Sequence, residues 1–210
     1  MEKRSRNAAA TRQAILESAM TAFTKRGYDG AGVREIATDA GVTAMLVNRY
    51  FGSKEELFAE VVDTMLAPPT MVPGESGASG GAEAASEPET RDESRKRVAS
   101  RELARETAKA LAARTAPGAD HLGPFELMLR SAANPRAAEI LRAGIERHVG
   151  ARFADALEGP GTHERAELGL ALLAGVWLLR TVIGTPALRE ADSALLVEQL
   201  TSMLSVVVEQ

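Results

Sequence analysis

The stretch that decides the fold is residues 11–66, TRQAILESAMTAFTKRGYDGAGVREIATDAGVTAMLVNRYFGSKEELFAEVVDTML. Its apolar residues recur at helical spacing, and glycines interrupt the pattern. The pattern predicts four helices, over about residues 8–26, 33–41, 43–51 and 53–66. Two short helices joined by a glycine-containing turn are typical of a helix-turn-helix. Ser53, followed three residues later by Glu56, predicts a capping box at the start of the fourth helix.

The outward side of the third predicted helix carries polar and small residues. Thr43, Ala44, Asn48, Arg49 and Tyr50 fall on or near that side. Arg, Asn and Thr hydrogen-bond base edges or phosphates, and an alanine can approach a thymine methyl group. These residue types favour double-stranded DNA as the partner. Ordinary solvated charges are the alternative interpretation of the basic residues.

Four blocks at fixed spacing carry a resemblance to a known family. They are F-x-x-x-G-Y at 23–28, V-R-E-I-A at 33–37, A-G-V at 40–42 and Y-F-x-S-K-E-E-L at 50–57. With them, residues 11–66 resemble the DNA-binding region of the TetR family of transcriptional regulators. The resemblance covers about a quarter of the chain. It implies a dimer of nine or ten helices per chain, with three N-terminal helices on DNA and an effector pocket in the C-terminal body.

Two positions depart from the family pattern. Gly32 stands where the family commonly has Ser or Thr, and Asn48 stands where it often has Tyr. Tyr50 and Lys54 match, and the resemblance implies phosphate contacts from both. The predicted DNA-binding residues are Gly32, Val33, Arg34, Thr43, Ala44, Val47, Asn48, Arg49, Tyr50 and Lys54.

The rest of the chain divides at a change of composition. Residues 67–89 are rich in Pro, Gly and Ser, which predicts a flexible linker. Helical periodicity then returns, so the predicted fold class is all-α. The predicted domains are a helix-turn-helix DNA-binding domain, a linker and a helical bundle for effector binding and dimerisation, at residues 1–66, 67–90 and 91–210.

Charge is distributed unevenly. Residues 1–54 hold nine Lys or Arg against five Asp or Glu, a balance of +4, and the other 156 residues hold sixteen against twenty-four, a balance of −8. This asymmetry indicates a head that faces a polyanion.

Charges throughout the first thirty residues argue against a signal peptide, and the absence of Cys fits a cytoplasmic location. The apolar run 168–179, closed by Arg180, is shorter than the roughly 20 residues of a membrane helix and predicts a buried helix instead.

Aromatic and apolar residues of the body suggest where an effector would bind. A pocket for a small apolar or aromatic effector is predicted from Trp177, Phe125, Met128 and Phe153, with His121, Glu126 or His148 for polar orientation. Plain core packing is the alternative. No cofactor and no metal is predicted, because His121, His148 and His163 lack ligand spacing. The chain also lacks the phosphate loops and nucleophile motifs of enzymes.

The last two helices have more apolar surface than one face needs, which favours a homodimer interface over an all-internal core. Its predicted residues are Leu172, Leu195, Leu200, Met203 and Leu204. The leading hypothesis is a homodimeric repressor that a small effector releases from a pseudo-palindromic operator. A constitutive or protein-controlled DNA-binding dimer is the alternative, and an enzyme with a helix-turn-helix head is a third, disfavoured class.

Overall fold

The computed structural model describes residues 2–68, 88–116, 119, 123–157 and 159–208. Within these ranges the regular elements are helices and no strand occurs, so the predicted all-α class is confirmed. The predicted linker lies mostly outside the described residues. The helices are α1 (Glu2–Gly30), α2 (Val33–Asp39), α3 (Ala44–Phe51), α4 (Lys54–Leu66), α5 (Pro88–Arg114), α6 (Gly123–Ser131), α7 (Pro135–Ile145), α8 (Ala151–Asp155), α9 (Thr162–Trp177), α10 (Pro186–Arg189) and α11 (Ser193–Val208).

Two stretches of the described residues are π-helical. Residues Glu146–Gly150 join α7 to α8, and residues Leu178–Ile183 extend α9. A π-helical turn widens a helix by one residue and is frequent at functional sites.

The chain forms two compact units. The head unit contains residues 1–68 and 122–148, and the body unit contains residues 69–121 and 149–210. The sequence-based division had assigned all of 91–210 to one domain, whereas the contacts group α6 and α7 with the first four helices.

The head unit is centred on three aromatic rings. Phe58 meets both Phe23 and Tyr28 edge-on, with ring centroids 5.0 Å apart in each pair. Gly27 interrupts α1 with a φ of 69°, and a Cβ there would overlap the backbone of Arg130 in α6. Glycine is therefore required at this position both for its backbone conformation and for the close approach of α6.

Hydrogen bonds between distant parts of the chain attach α6 and α7 to the head unit. The Tyr28 N–H donates to Ser131 Oγ at 3.0 Å, and Asn134 Nδ2 donates to Asp29 Oδ1 at 2.8 Å. These bonds explain why residues 122–148 belong to the head unit despite lying far from it in sequence.

The body unit is built on the packing of α5 against α11. Leu111, Leu200 and Leu204 are fully buried in this unit. Phe153 packs at the other end against Gly169, where a Cβ would overlap the phenyl ring. The body unit therefore has an apolar core of its own.

Candidate nucleic-acid interface

The turn between α2 and α3 is fixed by backbone hydrogen bonds. The Val42 N–H donates to the Ala37 carbonyl at 2.8 Å, and the Gly41 N–H donates to the Thr38 carbonyl at 3.0 Å. The Thr43 hydroxyl then accepts from the Leu46 N–H at 3.3 Å and begins α3. Because these bonds leave little freedom between the two helices, α3 is presented as a rigid element.

One face of α3 is open to solvent. Met45, Asn48 and Arg49 are exposed there, and Met45 is 80% exposed. Their i, i+3 and i+4 spacing places all three on the same side of the helix. Val47 and Phe51 occupy the opposite side and are buried. The three exposed side chains form the surface that the third helix offers to a partner.

Val47 was predicted to contact DNA, but the structure places it in the core with 2% of its surface exposed. Three apolar residues in succession, 45–47, left the inward residue of this short helix undecided by periodicity alone. Sequence reasoning correspondingly missed Met45, whose spacing from Asn48 and Arg49 is the signal that identifies it.

A capping box begins α4 as predicted. The Ser53 hydroxyl accepts from the Glu56 N–H at 3.1 Å, and Glu56 Oε2 accepts from the Ser53 N–H at 2.7 Å. Gly52 precedes it with a φ of 78°, and a Cβ at Gly52 would overlap the Glu56 carboxylate. The turn between α3 and α4 therefore depends on glycine at position 52.

Lys54 lies at the first turn of α4, where an aromatic ring positions its charge. Lys54 Nζ is 4.5 Å from the centroid of the Tyr28 ring, within cation–π range. The Tyr28 hydroxyl donates to Glu55 Oε1 at 2.9 Å. Burial, with the hydrogen bond to Glu55, raises the pKa of Tyr28 to about 12, so the ring beneath Lys54 is neutral at physiological pH. Hydrogen bonds from its own backbone N–H and then from Tyr28 lower the pKa of Glu55.

The other residues predicted to contact DNA lie at the start of α2 or along α3. Gly32 is exposed and precedes α2 without a side-chain cap. Arg34 is exposed, whereas Val33, Ala44 and Tyr50 are half-buried. All of the predicted set except Val47 therefore keeps some accessible surface.

Arg12 contributes a contact that sequence reasoning did not anticipate. Its guanidinium lies 4.7 Å from the centroid of the Phe51 ring and pairs with Glu60 of α4. The contact links α1 to the C-terminal end of α3 and to α4. It stabilises the arrangement of these helices behind the exposed face of α3.

The residues predicted to bind an effector do not fall in one unit. Phe125 and Met128 lie on α6 in the head unit, whereas Phe153 and Trp177 lie in the body unit. His121 is outside the described residues. Phe153 and Trp177 are buried at 1% and 2% exposure.

The residues predicted at the dimer interface also separate into two groups. Leu200 and Leu204 are fully buried, and both lie on α11, the helix that packs against α5. They belong to the core and the interface assignment was wrong for both. Leu195 and Met203 are exposed, and Leu172 is half-buried. Sequence reasoning missed the exposed apolar residues Leu168, Leu179, Val182, Ile183 and Val206.

The helical segment Thr162–Ile183 is long and apolar enough to cross a membrane by length and composition alone, with a mean hydropathy of 1.7. Only 28% of its apolar window is buried inside the chain. The expected buried helix is therefore buried on one face only. Leu168, Leu172, Gly175 and Leu179 share the other face at helical spacing.

Comparisons with known proteins extend these observations. Residues 15–61 match the profile described as "Bacterial regulatory proteins, tetR family", and residues 102–208 match "Tetracyclin repressor-like, C-terminal domain". The HTH-type transcriptional repressor NicS of Pseudomonas putida is 38% identical over 64 residues, which cover 30% of each chain. The matching part thus spans under a third of this curated relative.

Solved structures share the whole fold at lower identity. A TetR-family regulator from Rhodococcus sp. aligns with a TM-score of 0.64 and 18% identity, over 95% of this chain and 99% of that one. The multidrug binding protein EbrR complexed with proflavin aligns with a TM-score of 0.54 and 20% identity, over 92% of this chain and 99% of that one.

Among the residues that the structure describes, no cluster of His, Asp or Glu could hold a metal ion.

The second profile alone spans half of the chain, and the first covers the helix-turn-helix described above. Proteins of this family are transcription factors and not enzymes. The chain belongs to the TetR family of DNA-binding transcriptional regulators.

Proposed function

We propose that this chain is a ligand-responsive repressor, which binds a pseudo-palindromic operator as a homodimer and is released by a small effector. The observation that carries the proposal is the exposed face of α3, formed by Met45, Asn48 and Arg49, next to Lys54 at the start of α4. Asn and Arg read base edges, while a lysine held at a helix start neutralises a phosphate. Met45 supplies apolar contact with a thymine methyl group.

The exposed apolar face of the body unit supports the proposed homodimer. Leu168 and Leu179 on the α9 segment and Leu195 and Val206 on α11 are each at least 40% exposed. Adjacent exposed apolar side chains favour association, and a two-fold dimer is the commonest form that such a face takes. Gly175, at which a Cβ would meet nothing within 4 Å, leaves room for close approach of a partner helix. Two such protomers would carry two α3 faces to two half-sites.

The proposed effector response is supported by the similarity to EbrR, which is described as a multidrug binding protein and has been solved in complex with proflavin. For this chain, we assign effector binding to the body unit. A coupling of about 1 to 3 kcal/mol between effector and operator would change either affinity about 5 to 150-fold. A soluble cytoplasmic location fits a regulator of this kind.

The alternative is a constitutive dimer in which the body unit only associates. The close-packed contact of Phe153 with Gly169 favours it locally, because that end of the body unit is filled by its own side chains.

Operator affinity measured with and without small molecules separates the two functions. Duplexes selected by the protein from a random library would be titrated by fluorescence anisotropy in the presence of a panel of anionic, neutral and cationic aromatic compounds. We expect at least one class to weaken binding at least about fivefold. Unchanged operator affinity across the panel would contradict effector response and support the constitutive dimer.

A further inference from the structure

A buried arginine in the body unit has no acidic partner. Arg180 lies in the π-helical turn Leu178–Ile183 and is 4% exposed. No carboxylate lies within ion-pair distance of it among the residues that the structure describes. Burial without an opposite charge lowers the pKa of Arg180. Buried charges in proteins are normally paired, so an unpaired one calls for an explanation.

The guanidinium of Arg180 is held on one side only. Nη1 donates to the Thr115 hydroxyl at 2.9 Å and to the Ala112 carbonyl at 3.2 Å, both at the C-terminal end of α5. Nε is buried and has no hydrogen-bond partner in the described part of the chain. The Nε–Nη2 edge, with which arginine binds a carboxylate through two parallel hydrogen bonds, therefore has no hydrogen-bond partner among the described residues.

Arg165, the other buried arginine among the described residues, shows what a purely structural role looks like. Its Nε donates to the Val207 carbonyl, its Nη2 donates to the Val208 carbonyl, both at 2.8 Å, and its Nη1 donates to the Pro160 carbonyl at 3.3 Å. All three nitrogens are thus engaged, two at the end of α11 and one at Pro160 before α9. Arg180 uses one nitrogen, and capping of α5 does not account for the rest of its guanidinium.

Two hydroxyl groups in the described part of the body unit are also buried. Thr107 Oγ1 and Thr181 Oγ1 are buried and lack hydrogen-bond partners among the described residues. Thr107 lies two turns before Thr115 on the same face of α5, and Thr181 follows Arg180 directly. Buried hydroxyls without partners are uncommon in folded proteins. Like the Nε of Arg180, they are polar groups of the body unit whose hydrogen-bonding capacity the described residues leave unused.

We propose that the Nε–Nη2 edge of Arg180 binds the carboxylate of a small organic acid with an apolar body, and that this acid is the effector. The inference rests on the proposed ligand response and specifies its chemistry. Trp177 and Leu173 precede Arg180 by about one and two helical turns, and both are buried apolar residues of the same unit. A single negative charge suits this setting better than a phosphate dianion, whose desolvation costs more. The proposed effector is therefore an apolar molecule that carries a carboxylate group.

The test uses phenylacetate and hexanoate, each compared with its primary amide, which has the same shape and no charge. Ethidium serves as a cationic aromatic probe. Trp177 is the sole tryptophan, so its fluorescence reports binding to full-length protein without DNA. We expect a carboxylate to bind at least about tenfold more tightly than its amide, because charge-assisted hydrogen bonds to arginine are the stronger ones. Ethidium should bind more weakly still.

Arg180→Gln should abolish this preference, and Arg189→Gln, which removes an exposed charge from the same unit, should leave it intact. Should Arg180→Gln not fold by circular dichroism, Arg180→Lys provides the comparison, since it keeps the charge but lacks the two-nitrogen edge and should lose most of the preference. Equal binding of acids and amides, or no fluorescence response to any acid, would overturn the assignment of Arg180.

Operator binding separates this outcome from failure of the proposed function. Neutral or cationic compounds that release DNA while acids do not would overturn the anionic effector and leave the ligand-responsive repressor standing. Acids that bind through Arg180 without altering operator affinity would support the site and contradict the repressor mechanism.

Discussion

Replacing Lys54 with alanine should weaken binding to all DNA sequences alike and reduce the dependence of affinity on salt. Lys54 lies at the start of α4 with Nζ over the Tyr28 ring, so its charge is positioned without an acidic partner at ion-pair distance among the described residues. Each phosphate contact contributes about 0.9 to the slope of log affinity against log salt. A dimer with one contact per protomer should therefore lose about 1.8.

This slope has a direct experimental consequence. Between 50 and 200 mM KCl, the affinity of the wild-type protein should fall about 12-fold more than that of the variant, as measured by fluorescence anisotropy. Loss of the cation–π contact should cost only about 0.5 to 1 kcal/mol of folding free energy, which urea unfolding would verify.

Lys109→Ala is the matched control. Lys109 is paired with Glu106 at 2.6 Å in the body unit, so its removal changes the net charge equally without touching α3 or α4. We expect its salt slope to equal that of the wild type. A Lys54→Ala protein with an unchanged slope, or a Lys109→Ala protein with an equally reduced one, would refute the assigned phosphate contact.

Three further predictions concern stability and assembly. Leu204→Ala should lower the free energy of unfolding by about 2 to 5 kcal/mol, because Leu204 is buried in the core. Val206→Glu should instead leave the protomer folded but monomeric in sedimentation velocity, because Val206 is exposed on the proposed interface. A dimeric Val206→Glu protein would show that the wrong face was assigned. Gly52→Ala should lower the free energy of unfolding, measured with urea, by about 1 to 3 kcal/mol, because a φ of 78° at position 52 strains any residue other than glycine. A Gly52→Ala protein as stable as the wild type would contradict this prediction. Because the pKa of Tyr28 is raised to about 12, the folded state is favoured while the Tyr28 hydroxyl is protonated. This contribution to the free energy of unfolding should be present below pH 10 and be lost as the pH rises from 10 to about 12. A Tyr28→Phe protein whose stability relative to the wild type stays constant over that range would contradict this prediction.

Local sequence signals predicted the head helices well. The predicted capping box of Ser53 and Glu56 depends only on residues three positions apart, and it is present. Such short-range hydrogen bonds are specified by residue type and spacing, which is why periodicity and capping located α3 and α4 correctly.

The inward face of apolar helices could not be predicted in the same way. α11 carries apolar residues on nearly all sides, so its pattern did not reveal that Leu200 and Leu204 are buried while Val206 faces solvent. Packing against a distant helix decides that choice, as it does for Val47 in α3.

Long-range contacts explain the remaining differences. The attachment of α6 and α7 to the head unit depends on pairs such as Tyr28 with Ser131, which are about a hundred residues apart. Arg180 marked the end of an apolar run in the sequence, whereas in the structure it lies within a π-helical turn and is buried.

Selection of binding sites from a random duplex library tests the central claim most directly. The proposed homodimer presents two copies of α3, so sequencing of the bound duplexes should yield an inverted repeat with half-site centres about one or more helical turns apart. Asn48→Ala should change the preferred bases within each half-site while keeping that symmetry. A single unrepeated motif, or no enrichment over the starting library, would contradict the account of a dimeric operator-binding repressor.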